Sequence, residues 1–231
     1  MVEQEEVLQR FKDAPWFAYK DIITVGGAGG IGSWLSLFLA RQGHSLTIYD
    51  FDTVGGENIG GGQLFRTDQI GQLKTSAATT NIYQFVGDTR VRAAGRFEKT
   101  SDCTNIAIAT FDNMESRKDL FIKWTKEVKK KIPEKVYCFI NVAMGPEQSY
   151  IEVVDRPSRM KKWKEEWQPS DEIPDLPCTF KSTTHNAAMA ASMAVALLNN
   201  VIFNFIAGDK LRHVPYKIII DLPLIKLEEY E

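Results

Sequence analysis

The strongest constraint on the fold lies at residues 22–32. Ile22, Ile23, Thr24 and Val25 form a β-branched run, the composition of a strand buried on both faces. Directly after it, Gly27, Gly29, Gly30 and Gly32 let the chain turn sharply and let backbone N–H groups approach an anion. The pattern then predicts a helix from about Ile31 to Ala40, with Trp34, Leu35, Phe38 and Leu39 on its apolar side. The N–H groups and dipole at the start of that helix favour negative charge. A second strand, Ser45 to Tyr49, ends in Asp50, where the ribose of a nucleotide would lie. Strand, glycine turn, helix, strand and terminal acid together predict a Rossmann-like nucleotide-binding unit. The glycines taken alone fit an NAD-dependent oxidoreductase equally well, although no convincing hydride-transfer pair accompanies them.

The same alternation continues. A helix is expected from about Gln69 to Phe85, with strands around Val91–Phe97 and Asn105–Thr110. A further helix is expected over Glu115–Lys131, with Phe121, Ile122 and Trp124 facing inward. Val136–Val142 and Ser149–Val154 read as strands. Strands alternating with helices imply an α/β fold: a mostly parallel sheet covered on both faces. Residues 155–180 break the pattern with mixed charge and Pro157, Pro169, Pro174 and Pro177, as expected of a lid or binding loop. A long Ala-rich helix is expected from Asn186 to Ala207, near the length of a membrane span. Asn199, Asn200 and Asn204 interrupt its apolar surface, which makes it a core or dimer-interface helix and predicts no membrane association. Tyr216–Asp221 reads as a closing strand and Lys226–Glu231 as a solvated tail. The expected organisation is one domain over 1–231, with a core at 1–154, a crossover at 155–181 and a C-terminal helix and strand at 182–231.

Later residues distinguish among nucleotide chemistries. Asp50-Phe51-Asp52-Thr53-Val54, Asn58-Ile59, Gln63-Leu64-Phe65 and Asp68-Gln69-Ile70-Gly71-Gln72-Leu73-Lys74 follow in order. Ala107 to Phe111 then leads into Asp112-Asn113, with Arg117 one helical turn later. This series resembles the ThiF/HesA/MoeB family of adenylyltransferases, which includes the adenylation domains of ubiquitin-activating enzymes. The resemblance implies that ATP activates the C-terminal carboxylate of a small ubiquitin-like or sulfur-carrier protein of the β-grasp fold. It implies that Gly27, Gly29, Gly30 and Gly32 lie against the nucleotide and Asp50 holds the ribose. It places Asn58 and Lys74 on the phosphate side, sets Asp52 and Asn113 within the nucleotide-binding motifs, and has Asp112 bind Mg²⁺. One hard carboxylate with waters and phosphate oxygens is an ordinary magnesium shell. Read without the resemblance, Asp50 is a strand-end turn residue, Lys74 a solvated helix lysine and Asp112 a helix cap. Arg117 reads as structural, pairing within its helix or with the Asp-Asn turn.

One departure affects activity. The family carries a phosphate-binding arginine shortly after the Asn that Asn58 matches, and here that place is Gly61, within Gly60-Gly61-Gly62. Arg66, reaching back across the glycines, and Arg10, acting in a partner's site within a homodimer, are the candidate replacements. Without such a replacement, the chain would be a degenerate member that binds nucleotide or a partner without turnover. Cys178 falls in the region where relatives can bear a reactive cysteine, ahead of Ser182-Thr183-Thr184 and near His185. Lowering of its pKa at a helix start would suit it to accept the acyl group as a thioester.

Composition excludes other classes. Lys+Arg 28 against Asp+Glu 30 gives a net charge of −2, with no basic excess to suit nucleic acid. Residues 1–6 are acidic and no apolar run follows, unlike a secretory signal. The 3 cysteines form no Cys-x-x-Cys pair, which predicts neither a disulfide framework nor structural zinc and points to a reducing, cytoplasmic setting.

Overall fold

The computed structural model describes residues 12–14, 17, 19–87, 90–129, 135–145, 147–169, 184–224 and 226–231. Strand β1 (Ile22–Gly26) leads through the glycine turn into helix α1 (Gly30–Arg41) and strand β2 (Ser45–Tyr49). A short helix α2 (Gly56–Gly60) and a 3₁₀ turn (Thr67–Gln69) precede helix α3 (Lys74–Val86). Strands β3 (Val91–Ala94) and β4 (Ile106–Ala109) follow, then helix α4 (Met114–Lys129). Strands β5 (Cys138–Met144) and β6 (Gln148–Val154), helix α5 (Pro157–Glu166), the long helix α6 (Thr184–Ala207) and strands β7 (Lys217–Asp221) and β8 (Lys226–Tyr230) complete the order.

The strands form one 8-stranded sheet in the order β3-β2-β1-β4-β5-β6-β7-β8. Strands β1 to β5 pair in parallel, and β6, β7 and β8 continue the sheet antiparallel. The alternation of β4 shows how both faces are covered. Ile106 and Ile108 join a core with α1, α3 and α6, whereas Ala107 and Ala109 join a second core with α4 and α5. The second core is aromatic: Phe121 stacks on Trp163 at 4.2 Å between ring centroids and meets Phe139 edge-on at 5.1 Å. The α/β, Rossmann-like expectation is met, with the antiparallel strands as the C-terminal addition.

Helix α6 is long and apolar enough over His185–Ala207 to cross a membrane, but it lies against α1, β5 and β6. Ala187, Ala190, Ala191 and Ala194 face that contact fully buried. Their small side chains allow close approach between helix and sheet, as expected for a core helix.

Several local expectations are corrected. Helix α3 starts at Lys74 rather than Gln69, because the preceding residues form the 3₁₀ turn and a connecting bridge between Thr53 and Leu73. Ile122 is exposed, since the buried stripe of α4 runs through Arg117, Leu120, Phe121, Trp124, Thr125 and Val128. The 155–180 segment is not wholly irregular: Pro157–Glu166 is helical, with Pro157 opening the helix and only Arg159 and Trp163 buried. Lys226–Tyr230 is the edge strand β8 rather than a loose tail.

His44, between α1 and β2, carries a pH liability. It is 3% exposed and neither ring nitrogen has a hydrogen-bond partner. Burial, reinforced by the nearby Lys20 charge, pushes the imidazole down to about 4. A lowered pKa means that the unfolded chain takes up the proton first. The contribution is therefore intact above about 6.5 and is lost as pH falls from there towards 4. Over that window the wild type is expected to lose about 3 kcal/mol that a His44→Phe variant keeps. Urea denaturation of both proteins at pH 7 and pH 4.5 measures the difference.

Candidate functional site

The glycine turn sits at the C-terminal end of β1, where the connections after β1 and after its neighbour β4 run to opposite sides of the sheet. That is the crevice in which open α/β sheets bind ligands. Gly27 has φ +99°, and a Cβ there would lie 2.9 Å from Thr110. A Cβ on Gly32 would lie 2.0 Å from the Gly27 carbonyl oxygen. Both glycines are thus required by contacts within the protein. Gly29 differs: a Cβ there meets nothing within 4 Å, so its side opens towards solvent above the helix start. Helix α1 has no side-chain cap and no acid in its first turn, which leaves its first N–H groups available to an anion. Gly30, the first residue of α1, belongs to the same turn.

A chain of bonds runs outward from this turn. The Asp50 carboxylate accepts from Ala28 N–H at 2.7 Å and from Asp52 N–H at 2.8 Å. Burial raises its pKa, opposed by those two N–H groups and by the Lys74 charge. Asp52 in turn pairs with Lys74, Nζ to Oδ2 at 2.9 Å, and its carbonyl accepts from Lys74 N–H at 2.8 Å. Lys74 is 8% exposed, so it is not the solvated lysine that a helix start would suggest. Asp50 is likewise bonded into the glycine turn rather than capping a simple bend. Beside it, Phe51 is exposed beneath the Arg96 guanidinium, 3.4 Å from the ring centroid.

The other side of the crevice comes from β4. Thr110 N–H donates to the Gly26 carbonyl at 2.7 Å, and its hydroxyl lies 2.9 and 3.1 Å from the carbonyls of Gly26 and Gly27. These bonds fix the chain to the glycine turn two residues before Asp112. Asn113, not Asp112, caps α4: its Oδ1 accepts from Ser116 N–H at 2.8 Å. Asp112 is exposed, and its one bond among the described residues is from Asn113 Nδ2 at 3.1 Å. An exposed carboxylate with an oxygen to spare suits a magnesium ion that keeps waters and phosphate ligands. No cluster of three or more His, Cys, Asp or Glu side chains gathers among the described residues, so such an ion would rest mainly on Asp112.

Arg117 is a partner that sequence reading placed incompletely. It is buried, and burial pushes its guanidinium down to about 10, still charged at neutral pH. Nη1 donates to Asn141 Oδ1 at 2.6 Å and to the Val142 carbonyl at 2.8 Å, so its hydrogen bonds cross to β5, while the charges of Glu152 and of Asp112 in the Asp-Asn turn act on it as well. Asn141 continues to Glu152, which Lys217 also meets at 3.2 Å. Thr110, just past β4, and Asn141, midway along β5, had no signal in the sequence; only the register of β1, β4 and β5 places them.

The Gly60-Gly61-Gly62 segment borders the same helix start. Trp34 Nε1 donates to the Gly62 carbonyl at 2.8 Å, and Leu64 N–H donates to Ser33 Oγ at 3.1 Å. Asn58 accepts from Gly55 N–H at 2.7 Å and is buried. Arg66, offered above as a replacement cation, is taken up elsewhere. It forms a two-pronged pair with Asp68 at 3.0 and 3.1 Å and also donates to Asn81 and Gln84. Reaching back across the glycines would break those bonds. Arg10 and Cys178 lie outside the described residues.

The model of the ThiF family matches residues 20–201. A search of curated protein sequences gives no match. Among solved structures, selenomethionine PaaA is similar at 19% identity and TM-score 0.66, covering 99% of this chain and 66% of PaaA. Escherichia coli MccB with ATP is similar at 16% identity and TM-score 0.64, covering 97% of this chain and 65% of MccB. The microcin C7 biosynthetic enzyme MccB with N-formylated MccA gives 16% identity and TM-score 0.63, covering 97% of this chain and 66% of that protein. The chain thus spans just under two thirds of the length of these proteins, and at such identities the likeness speaks for the fold. The family match extends over most of the chain and contains the glycine turn, Asp50, Lys74 and Asp112, and on that ground the chain belongs to the ThiF family.

Proposed function

We propose that the chain is an ATP-dependent adenylyltransferase that activates a C-terminal carboxylate, with a small β-grasp carrier protein as the partner. The reading rests chiefly on the bonded path from the Ala28 N–H through Asp50 and Asp52 to Lys74. That path links an acid suited to a ribose and a cation suited to phosphate to a helix start with no side-chain cap. A carboxylate oxygen attacks the α-phosphate, pyrophosphate leaves, and the acyl-adenylate remains. The step needs alignment and charge neutralisation more than a base. Asp50 holds the ribose, the glycine turn and Asn58 line the phosphates, and Lys74 neutralises them. Magnesium, when bound at Asp112, supplies further positive charge to the phosphate oxygens. MccB was solved with ATP and with MccA, which supports a nucleotide and a second molecule meeting in this kind of fold. A homodimer is part of the same proposal, with Arg10 entering the partner's site as a weaker substitute for the arginine missing at Gly61.

A second reading, nucleotide binding without turnover, is favoured by Gly61 and by the engagement of Arg66 with Asp68, Asn81 and Gln84. Both readings in this nucleotide-binding form require ATP, whereas a degenerate member that binds only a partner does not. Mg·ATP at about 100 times its Kd is expected to add roughly 2.7 kcal/mol, raising the melting midpoint by a few degrees. Asp112→Ala is expected to remove the magnesium-dependent part of that shift. Stabilisation by NAD⁺ in place of ATP would overturn both readings.

A further inference from the structure

The carboxylate of Asp52 meets the ammonium of Lys74 at 2.9 Å. The two ends of this pair are unequal: the Lys74 side chain is 10% exposed and that of Asp52 45%. Lys74 is also fixed through its backbone, whose N–H donates to the Asp52 carbonyl, and through the bridge between Thr53 and Leu73. The lysine therefore has a settled position, and Asp52 is the member of the pair with room to turn to solvent. On its other side, Asp52 N–H is bonded to Asp50, whose second oxygen meets the glycine turn. If Lys74 neutralises the phosphates, as in the reading above, a phosphate oxygen and the Asp52 carboxylate compete for one ammonium.

We propose that Asp52 is not a nucleotide ligand but the internal counter-ion of Lys74, a positioning residue that the triphosphate displaces. It holds the ammonium in place, and it sets a threshold that only a strong polyanion crosses. Adenosine, with no phosphate, has nothing to offer Lys74 in exchange and leaves the pair intact. ATP replaces one carboxylate with phosphate oxygens, and Asp52 turns outward to water. The inference rests on the nucleotide-binding reading above and adds a selectivity for the triphosphate over the bare nucleoside.

The test is calorimetric titration of ATP and of adenosine into the wild type, Asp52→Asn, Lys74→Met and the double variant. Thermal melts of each without ligand show that the fold is kept. Asp52→Asn is expected to bind ATP about 2- to 5-fold more tightly, the range set by a half-exposed ion pair, with adenosine unchanged. In the Lys74→Met background the same substitution is expected to leave ATP affinity unchanged. Weaker ATP binding by Asp52→Asn would make Asp52 a ligand and overturn the proposal. An equal gain in both backgrounds would reduce it to general repulsion, and no gain would remove the threshold; either overturns it. A wild type that binds neither ATP nor adenosine overturns the nucleotide-binding reading together with this inference, whereas binding with the wrong response to Asp52→Asn overturns the inference alone.

Discussion

Replacing Lys74 with methionine is expected to weaken ATP binding by about 10- to 100-fold and to slow adenylation by a further 10²- to 10³-fold. The binding loss follows from deleting a charge-assisted contact to phosphate, worth about 1.5–3 kcal/mol. The rate loss follows from removing a fixed cation where charge develops on the leaving pyrophosphate. Lys74 is well suited to that task because the protein has already limited its freedom. Its stem is buried, its backbone N–H is held by Asp52, and its ammonium is aimed along the bonded path to Asp50 and the glycine turn. Methionine keeps the buried stem and removes the charge, so the fold should survive. Asp52, left behind, is exposed enough to be hydrated. Calorimetric titration of Mg·ATP gives the binding loss without any carboxylate substrate, and pyrophosphate release with a carrier measures the rate. A Lys74→Met protein that binds ATP as the wild type does would remove Lys74 from the phosphate site.

The second large effect is a gain. Gly61→Arg is expected to raise the rate of pyrophosphate release by about 10²-fold or more, since an arginine on transferring phosphate is worth 10³ or more where it has been removed. The backbone permits the change. Gly61 has φ −77° and ψ 5°, a conformation open to any residue, whereas neighbouring Gly62 has φ +75° and must stay glycine. The segment is tied to α1 by the bond from the Trp34 indole to the Gly62 carbonyl. No gain, accompanied by loss of activity in Arg10→Ala, would show that a cation from elsewhere already fills the place. No gain with Arg10→Ala also silent would support the non-turnover reading.

The comparison of Arg66 with Lys74 shows why one site residue was legible in the sequence and another was not. Lys74 stands in a motif whose order along the chain marks it, and the structure adds its partner, Asp52, 22 residues earlier. Arg66 looked free in sequence because its partners are spread along the chain. Asp68 is a near neighbour, but Asn81 and Gln84 lie on the next helix, and no local pattern announces them. Asp112 and Asn113 divide the same way. Adjacent Asp and Asn are both good helix caps, and only the built turn shows that Asn113 takes the task and leaves Asp112 exposed.

The secondary structure follows the same rule. β1, β2 and β4 are apolar and β-branched or small because they are buried on both faces, so composition alone reveals them. α5 and β8 escaped because neither carries an apolar stripe. α5 buries only Arg159 and Trp163, and β8, with sequence KLEEY, is an edge strand whose backbone pairing with β7 holds it in place. Backbone hydrogen bonds to a neighbour leave little trace in side-chain periodicity.

By itself, the sequence determined the strand–glycine turn–helix unit, the acid at the end of β2 and the alternation that makes an α/β sheet. These depend on contacts within a few residues or on burial common to a whole strand. The tertiary structure decided which charges meet: Asp52 with Lys74, Arg66 with Asn81, Arg117 with Asn141, and Thr110 against the glycine turn. Each of those pairs joins segments between 15 and 84 residues apart, brought together by sheet register and helix packing that no local pattern encodes.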